Sequence, residues 1–196
     1  MANADTPFGL RPVKTGSGPW NGQTIRCYIP STYATALYVG DPVALAGAAN
    51  TEGDCPTVGL ATAGDGNMVF GVITGFEPLP TNLNITYHPA STAQYCSVSV
   101  GTETIYEIQG SSSAALSTAS IGLNANLVSG TGSTTSGLSG WEMDTGDSDA
   151  PDADASNQLL IVGASSRPDN EVASVHAKWL VKINQSGFGQ GALGVS

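Results

Sequence analysis

The chain has 196 residues, of which 40% are hydrophobic and only 11% charged, so it can bury a core and does not have the composition of a disordered protein. Its net charge of −10 disfavours direct binding to nucleic acid, because an acidic body repels the phosphate backbone. No run approaches the roughly 20 apolar residues of a membrane-spanning helix. The N-terminus lacks the basic and apolar blocks of a signal peptide, and this predicts a protein made in a cytoplasm, with no membrane partner.

The charges are distributed unevenly along the chain. Residues 27–166 contain no lysine or arginine but carry thirteen of the sixteen acidic residues. The six cations lie towards the two ends: Arg11, Lys14, Arg26, Arg167, Lys178 and Lys182. The middle of the chain therefore favours water or a basic partner, whereas the ends can approach an acidic one.

A segment with two prolines, from Thr6 to Lys14, stands near the start of the chain. Each proline fixes its own φ, lacks a backbone donor and favours extended geometry in the residue before it. The segment is therefore predicted to be a semi-stiff extended arm. It could be a first edge strand on its own domain, where proline is tolerated, or it could lie along a neighbouring subunit. The side chains predicted to bind a neighbour are Pro7, Phe8, Leu10, Arg11, Pro12 and Lys14.

Short apolar or alternating runs follow the arm, each bounded by Gly, Pro or Asp. They predict an all-β fold: a single sandwich- or barrel-like domain of short antiparallel strands, with an extended N-terminal arm and long loops. The arm and its turn cover residues 1–23, the β domain residues 24–185, and a flexible Gly-rich tail residues 186–196. The predicted strands are residues 24–29, 36–39, 43–45, 57–60, 68–73, 94–100, 103–109, 159–162 and 172–183.

The pattern also predicts a hairpin, a limit on helix and the buried face of the last strand. The runs at 94–100 and 103–109 are separated by a Gly-containing turn and predict a hairpin. Residues 110–127 are ambiguous, and their Ser and Gly content limits any helix to a turn or two. In the last strand, alternation predicts that Trp179, Val181 and Ile183 face the core, together with Val175 and Ala177, while His176, Lys178 and Lys182 face the other way.

The three cysteines are an odd number without metal-site spacing, and this predicts free thiols. Cys27 and Cys96 lie in apolar runs and are predicted to be small core residues. Cys55 follows Glu52-Gly53-Asp54, whose acids disfavour a reactive thiolate.

The sequence offers no convincing catalytic motif, so an enzyme and a cofactor are not expected. No serine or cysteine has a recognisable nucleophile elbow, and there is no phosphate-binding loop. The acidic loop at 142–158 is the one weak candidate for a metal site, since carboxylates are hard oxygen ligands for Ca²⁺. Its spacing is not that of an EF-hand, so a solvated loop without metal is expected. Its candidate ligands are Asp144, Asp147, Asp149, Asp152 and Asp154.

Two stretches resemble one known family. The opening Met1-Ala2-Asn3-Ala4-Asp5-Thr6-Pro7-Phe8-Gly9-Leu10-Arg11-Pro12-Val13 is similar to the start of a family of tailed-bacteriophage virion structural proteins. The stretch Arg167-Pro168-Asp169-Asn170-Glu171-Val172, continuing to Ala177-Lys178-Trp179 and Ile183-Asn184, resembles the same family's C-terminal part. The family in turn resembles capsid decoration (cement) proteins.

The resemblance implies a structural protein on the exterior of the phage capsid. Its partners would be the major capsid protein and further copies of itself, commonly as a homotrimer, and it would stabilise the assembled head. The arm could then add a strand to a neighbour's sheet. A tail or head–tail joining component is the alternative within virions. From a different class, a glycan-binding β-domain or adhesin would use exposed aromatics. Of the three tryptophans, Trp179 is expected in the core, whereas Trp20 and Trp141 are predicted in loops and are the candidates.

Overall fold

The structure is a computed structural model that describes residues 3–188. The protein is all-β, as the sequence predicts, and the helix in the described part is a single 3-10 turn at Thr118–Ser120, inside the ambiguous stretch. Within residues 3–188 no helix has the length and apolarity to cross a membrane. The strands are β1 (Arg11–Thr15), β2 (Gly18–Pro19), β3 (Ile25–Ile29), β4 (Pro42–Ala49), β5 (Pro56–Leu60), β6 (Gly71–Phe76), β7 (Gln94–Ser99), β8 (Thr104–Gln109), β9 (Asn124–Ala125), β10 (Leu127–Val128), β11 (Glu142–Met143), β12 (Leu159–Ala164) and β13 (Lys178–Ile183).

Five strands close into a small barrel in the order β3-β5-β4-β6-β7. All of its pairings are antiparallel except that of β3 with β5. Alternate side chains point inward because the side-chain period of a strand is two. The inward side chains form one core, each no more than 5% exposed: Cys27, Ile29, Leu37, Val43, Val58, Phe70, Ile73, Cys96 and Val98.

The remaining long strands form a six-stranded sheet in the order β2-β1-β8-β13-β12-β9, with a separate pair β10-β11 beside it. Trp179, Val181 and Ile183 of β13 face the core, as their alternation predicts. They pack with Tyr106 and Ile108 of the neighbouring β8 in a second apolar cluster.

The predicted hairpin between residues 94–100 and 103–109 is wrong. β7 pairs with β3 and β6 inside the barrel, whereas β8 pairs with β1 and β13 in the sheet. The turn at Gly101, where φ is 139°, connects the barrel to the six-stranded sheet. Alternation fixes which face of a strand is buried, but it does not identify the partner strand.

Several predicted strand bounds also differ. β4 extends to Ala49, four residues beyond the end of the strand predicted at 43–45. The strand predicted at 36–39 is absent, and this stretch makes only isolated bridges at Leu37 and Val39. The last strand begins at Lys178 rather than Val172, because the Asn170 side chain holds the preceding loop. Its amide donates to Lys178 O at 2.9 Å and its carbonyl accepts from Lys178 N at 2.8 Å.

The N-terminal arm belongs to the sheet of its own domain. Arg11 pairs with Glu107 and Thr15 with Thr104, so β1 occupies one edge of β8. Strand pairing thus joins the predicted arm, residues 1–23, to the predicted β domain. On its outer side β1 pairs with β2 only at Lys14 and Thr15.

The arm is locked to the barrel by a close backbone crossing. Leu10 N donates to Gly40 O at 2.9 Å. A Cβ on Gly9, whose φ is 69°, would lie 2.3 Å from Gly40 O, and a Cβ on Gly40 would lie 2.2 Å from Phe8 O. Both positions therefore need glycine, for its positive φ and for the space.

Of the predicted Gly-rich tail, only residues 186–188 belong to the described part of the chain. Residues 189–196 lie outside the described residues. The first part is packed rather than loose: Gly187 N donates to Val69 O at 2.9 Å, and the Phe188 ring meets Phe70 edge-on with centroids 5.7 Å apart.

The prediction of free thiols is confirmed, since Cys27, Cys55 and Cys96 are all unpaired and buried. Cys27 and Cys96 lie opposite each other on β3 and β7. Burial raises the pKa of the Cys27 thiol to about 12 and raises that of Cys96 as well. Both therefore remain protonated core side chains.

Asp41, directly after the backbone crossing, should give the stability a measurable pH dependence. Its side chain is only 2% exposed, and Oδ2 accepts from Tyr38 N at 2.8 Å. Burial raises the pKa of this carboxyl from 3.8 to about 6. In the pH range between these values the native state binds more protons than the unfolded state, so stability rises as pH falls and is lost as pH rises through about 6.

We expect the wild-type protein to gain about 2.5 kcal/mol in free energy of unfolding relative to Asp41→Asn between about pH 7.5 and about pH 4, since one unit of pKa corresponds to about 1.4 kcal/mol and the unfolded carboxyl is only partly protonated at about pH 4. The asparagine can still accept from Tyr38 N, and the other titrating groups, including buried His88, are common to both proteins. Urea unfolding at a series of pH values measures the difference. Parallel curves for the two proteins would show that Asp41 does not titrate as described.

Candidate functional site

The first described residues are tied to the loop that precedes β13. The Asn3 side chain is 8% exposed and donates to the carbonyls of Glu171 and Val175 at 2.9 and 3.0 Å. Its own carbonyl accepts from Glu171 N at 2.8 Å. The two stretches that carry the family resemblance, at opposite ends of the chain, thus meet in space.

Glu107 of β8 forms a second link between the same two stretches. It is 3% exposed and makes ion pairs with Arg11 of the arm and with Arg167, whose Nη1 lies 3.4 Å from Oε2. Ser165 Oγ donates to the other carboxylate oxygen at 2.5 Å. Burial raises the pKa of Glu107, but the bonds from Ser165 and the two arginines outweigh it and hold the pKa below its usual value. The carboxylate is therefore charged and fixes both guanidinium groups.

These links shape a groove of about 940 Å³, which we call the terminal groove. Its wall is apolar at Pro7, Phe8 and Leu138. The charged side chains of the lining carry both signs: Arg11, Arg167, Lys178, Asp169 and Glu171. The Arg11 guanidinium lies 4.8 Å above the centre of the Phe8 ring, and its side chain is 50% exposed. A partner would thus meet apolar surface beside arginines that are already paired with carboxylates.

A smaller groove of about 550 Å³, the side groove, lies across the ridge made by Phe8, Arg11 and Leu138. Trp20 and Ile73 are among the residues of its apolar lining. Leu138 is 40% exposed, which leaves a branched apolar side chain in water at the crest of the ridge. Such a patch beside a groove is typical of a binding surface.

The structure separates the six predicted arm residues into different environments. Pro7, Phe8 and Arg11 line the terminal groove together. Pro12 is half-buried in β1, and Lys14 is exposed in the same strand, opposite Pro19 of β2.

Leu10 is a predicted binding residue that the structure places in the core. It is 1% exposed and belongs to the core of the six-stranded sheet, so it cannot anchor the arm on a neighbour. Sequence reasoning missed Leu138 instead, which stands in a run of Gly, Ser and Thr. The only local signal in the sequence is that one large apolar residue stands in a polar loop.

The acidic loop is more ordered than a solvated loop. The Asp144 carboxylate is 1% exposed and accepts four backbone amides, those of residues 146 to 149, at 2.6 to 3.1 Å. Asp147 accepts the hydroxyl of Ser113, and Asp154 accepts Ser156 N at 2.8 Å.

The other carboxylates of the loop do not converge on one point. Asp152 accepts Asp154 N at 2.8 Å and Asn157 Nδ2 at 2.9 Å, while partly buried Asp149 has its pKa raised first by burial and then by the surrounding aspartates. Within residues 3–188, the one set of three or more metal-ligating side chains whose ligand atoms lie close together shares only Glu142, the first residue of the loop: Asp5, Glu142 and His176. The five aspartates considered as Ca²⁺ ligands therefore form no such set in the described part of the chain.

The aromatic residues considered for glycan binding are mostly inaccessible. Trp141 and Trp179 are 2% and 1% exposed, so the interpretation of Trp141 as a loop residue open to a ligand is wrong. Trp20 alone of the three is partly exposed, at the side groove. His88 is fully buried as well, with Nδ1 3.0 Å from Gln94 Oε1.

Comparison of the chain with models of protein families, with curated proteins and with solved structures finds no match. The function is therefore inferred from the residues of the terminal groove and from the family resemblance of the two stretches that form it.

Proposed function

We propose that this protein is a structural component of a tailed-phage virion, an oligomeric decoration protein that binds the exterior of the assembled capsid and stabilises it. The observation that carries the proposal is the meeting of the two family-like stretches at one surface. Asn3 binds the loop at Glu171 and Val175, and Arg11 and Arg167 share Glu107. A surface built from both stretches is a natural place for a function common to the family.

The chemistry of the terminal groove supports the major capsid protein as the partner. Phe8 and Leu138 offer partly exposed apolar area, and Arg11 and Arg167 stand beside it. The complementary segment is an apolar side chain flanked by a carboxylate, which an arginine fork recognises well. The acidic residues between the two ends repel other acidic surfaces, so the groove is the favoured region for such an approach.

Stabilisation follows from selective binding. A protein that binds the assembled lattice and not its free subunits shifts the equilibrium towards the lattice by mass action. A homotrimer, which the resemblance implies, would present three grooves to neighbouring capsid subunits. Simultaneous engagement then raises the overall affinity well above that of one groove.

The proposal is tested by mixing the purified protein with undecorated phage heads and measuring the bound copies after sedimentation. We expect saturable binding to assembled heads and none to dissociated capsid protein, together with a higher melting temperature of the heads. Light scattering should give three chain masses for the free protein. A tail component would instead sediment with isolated tails, and an adhesin with host cells or immobilised glycans. Either result without head binding would contradict the proposal.

A further inference from the structure

A mixed cluster of metal-ligating side chains lies outside the two grooves. His176 Nδ1 is 3.5 Å from Asp5 Oδ1 and 3.9 Å from Glu142 Oε1, and all three ligand atoms lie within 4.8 Å of one another. The residues come from the N-terminal segment, from β11 and from the loop before β13. Three separate parts of the chain therefore converge on one point.

Gln109 orients the cluster from inside. It is fully buried, and its Oε1 accepts from Thr6 N at 3.1 Å, which fixes the direction of the amide. Its Nε2 donates to Asp5 Oδ1 at 3.0 Å and to Glu142 Oε1 at 2.8 Å. Nε2 also lies 3.4 Å from His176 Nδ1, but an amide has two hydrogens and the carboxylates take both. The imidazole nitrogen thus faces the cluster without a hydrogen from Gln109.

The electrostatics of the cluster favour a cation. The carboxylates of Asp5 and Glu142 both face the imidazole of His176, so oxygen and nitrogen donors are concentrated at one point. The Asp5 side chain is 63% exposed and leaves the cluster open to solvent, whereas those of Glu142 and His176 are 20% and 14% exposed.

The position of His176 differs from the prediction. It does not stand on the polar face of a strand, because the strand begins two residues later and the backbone of His176 has a φ of 57°. A left-handed turn at this residue replaces the strand alternation, and its imidazole lies beside the two carboxylates.

We propose that Asp5, Glu142 and His176 bind a divalent transition-metal cation. Two carboxylate oxygens and an imidazole nitrogen are a donor set that suits Zn²⁺ or Mn²⁺, whereas Ca²⁺ prefers oxygen ligands alone. Zn²⁺ bonds of about 2.0–2.2 Å place tetrahedral ligand atoms roughly 3.4 Å apart. The 3.5 Å between His176 and Asp5 already matches that separation, and the 3.9 Å between His176 and Glu142 would have to shorten. Water completes the coordination on the open side, and Gln109 holds the carboxylates from behind.

A cation at this point would join the N-terminal segment to β11 and to the loop before β13. Because the unfolded chain does not hold these three side chains together, the cation binds the native state and stabilises it. This role concerns the isolated chain and is independent of capsid binding.

The test is titration of the metal-free, full-length protein with Zn²⁺ as the probe, by calorimetry and by thermal melting. We expect one site per chain and a rise in melting temperature of several degrees at saturating Zn²⁺. Asp5→Asn and His176→Asn should each weaken binding at least tenfold, and Asp5→Asn is the safer variant because that side chain is largely exposed. Asp152→Asn, which removes a carboxylate from the acidic loop, should bind as the wild type does.

The three cysteines could also bind Zn²⁺. A titration with Co²⁺ tells thiolate ligands from oxygen and nitrogen ligands, because only thiolate ligation adds a charge-transfer band to the absorption spectrum. We expect no such band. Absence of Zn²⁺ binding, a thiolate band, or unchanged affinity in folded Asp5→Asn and His176→Asn would each overturn the proposal. Loss of binding in Asp152→Asn would assign the cation to the acidic loop and overturn it too.

Discussion

Replacing Phe8 and Leu138 together by alanine should reduce binding to undecorated capsids by about 30-fold per groove. Both side chains line the terminal groove, and Leu138 is 40% exposed in the free protein. Full burial of a large apolar side chain is worth roughly 1.5–3 kcal/mol, and the area left to bury is 40% for Leu138 and smaller for the partly buried Phe8, so the two together are worth up to about 2 kcal/mol. A loss of about 2 kcal/mol per groove follows, and it multiplies when an oligomer binds through several grooves.

The matched control is Leu83→Ala. Leu83 is 73% exposed, the most exposed of the large apolar residues in the described part of the chain, and it lines neither groove. Bound copies per head are counted after sedimentation for the wild type and both variants, and each melting temperature is measured in parallel. Wild-type occupancy in a folded Phe8→Ala/Leu138→Ala protein would show that capsid contact lies elsewhere.

The two arginines of the groove should contribute differently. Both are partly exposed and bound to Glu107, and Arg167 is also paired with Asp169 at 3.1 Å, so a capsid carboxylate would meet guanidinium groups that are already oriented. Exposed ion pairs are worth about 0–1 kcal/mol and weaken with salt. Apolar contacts therefore dominate the affinity, and the arginines chiefly select the partner.

The all-β class and the buried face of the last strand could be predicted from the sequence, because alternation over several residues reports directly which side of a strand is buried. Trp179 and Val181 are examples. Pairing could not be predicted in the same way. The runs at β7 and β8 have the pattern and the short connection of a hairpin, yet β7 pairs with β3 and β6, and β8 pairs with β1 and β13.

For the candidate site, likewise, some residues could be predicted from the sequence but their contacts could not. Pro7, Phe8 and Arg11 stand out in the sequence because apolar and cationic side chains between prolines need a surface to lie on. Whether that surface is the chain's own depends on long-range contacts, such as the crossing of Gly9 over Gly40. The cluster at His176 was equally hidden, because its three ligands lie far apart in the chain.

Leu10→Ala should lower the free energy of unfolding by about 2–5 kcal/mol, and deletion of residues 1–14 should abolish the cooperative melting transition. Leu10 is 1% exposed in the core of the sheet, so the substitution removes buried apolar atoms and leaves a cavity. The deletion also takes away most of β1, which exposes an edge of β8 and removes Arg11 from buried Glu107. A buried charge that loses a partner is strongly destabilising.

Lys14→Ala is the control within the same strand, since this side chain is exposed and its removal should change stability by no more than about 0.5 kcal/mol. Urea unfolding of the point variants and calorimetric melting of the truncated chain measure the effects. A truncated protein that melts as sharply as the wild type would show that the arm is a removable appendage, free to bridge to a neighbour. Loss of folding would instead mean that the arm must first complete its own domain, and that only its outer residues, Pro7, Phe8 and Arg11, remain for a partner.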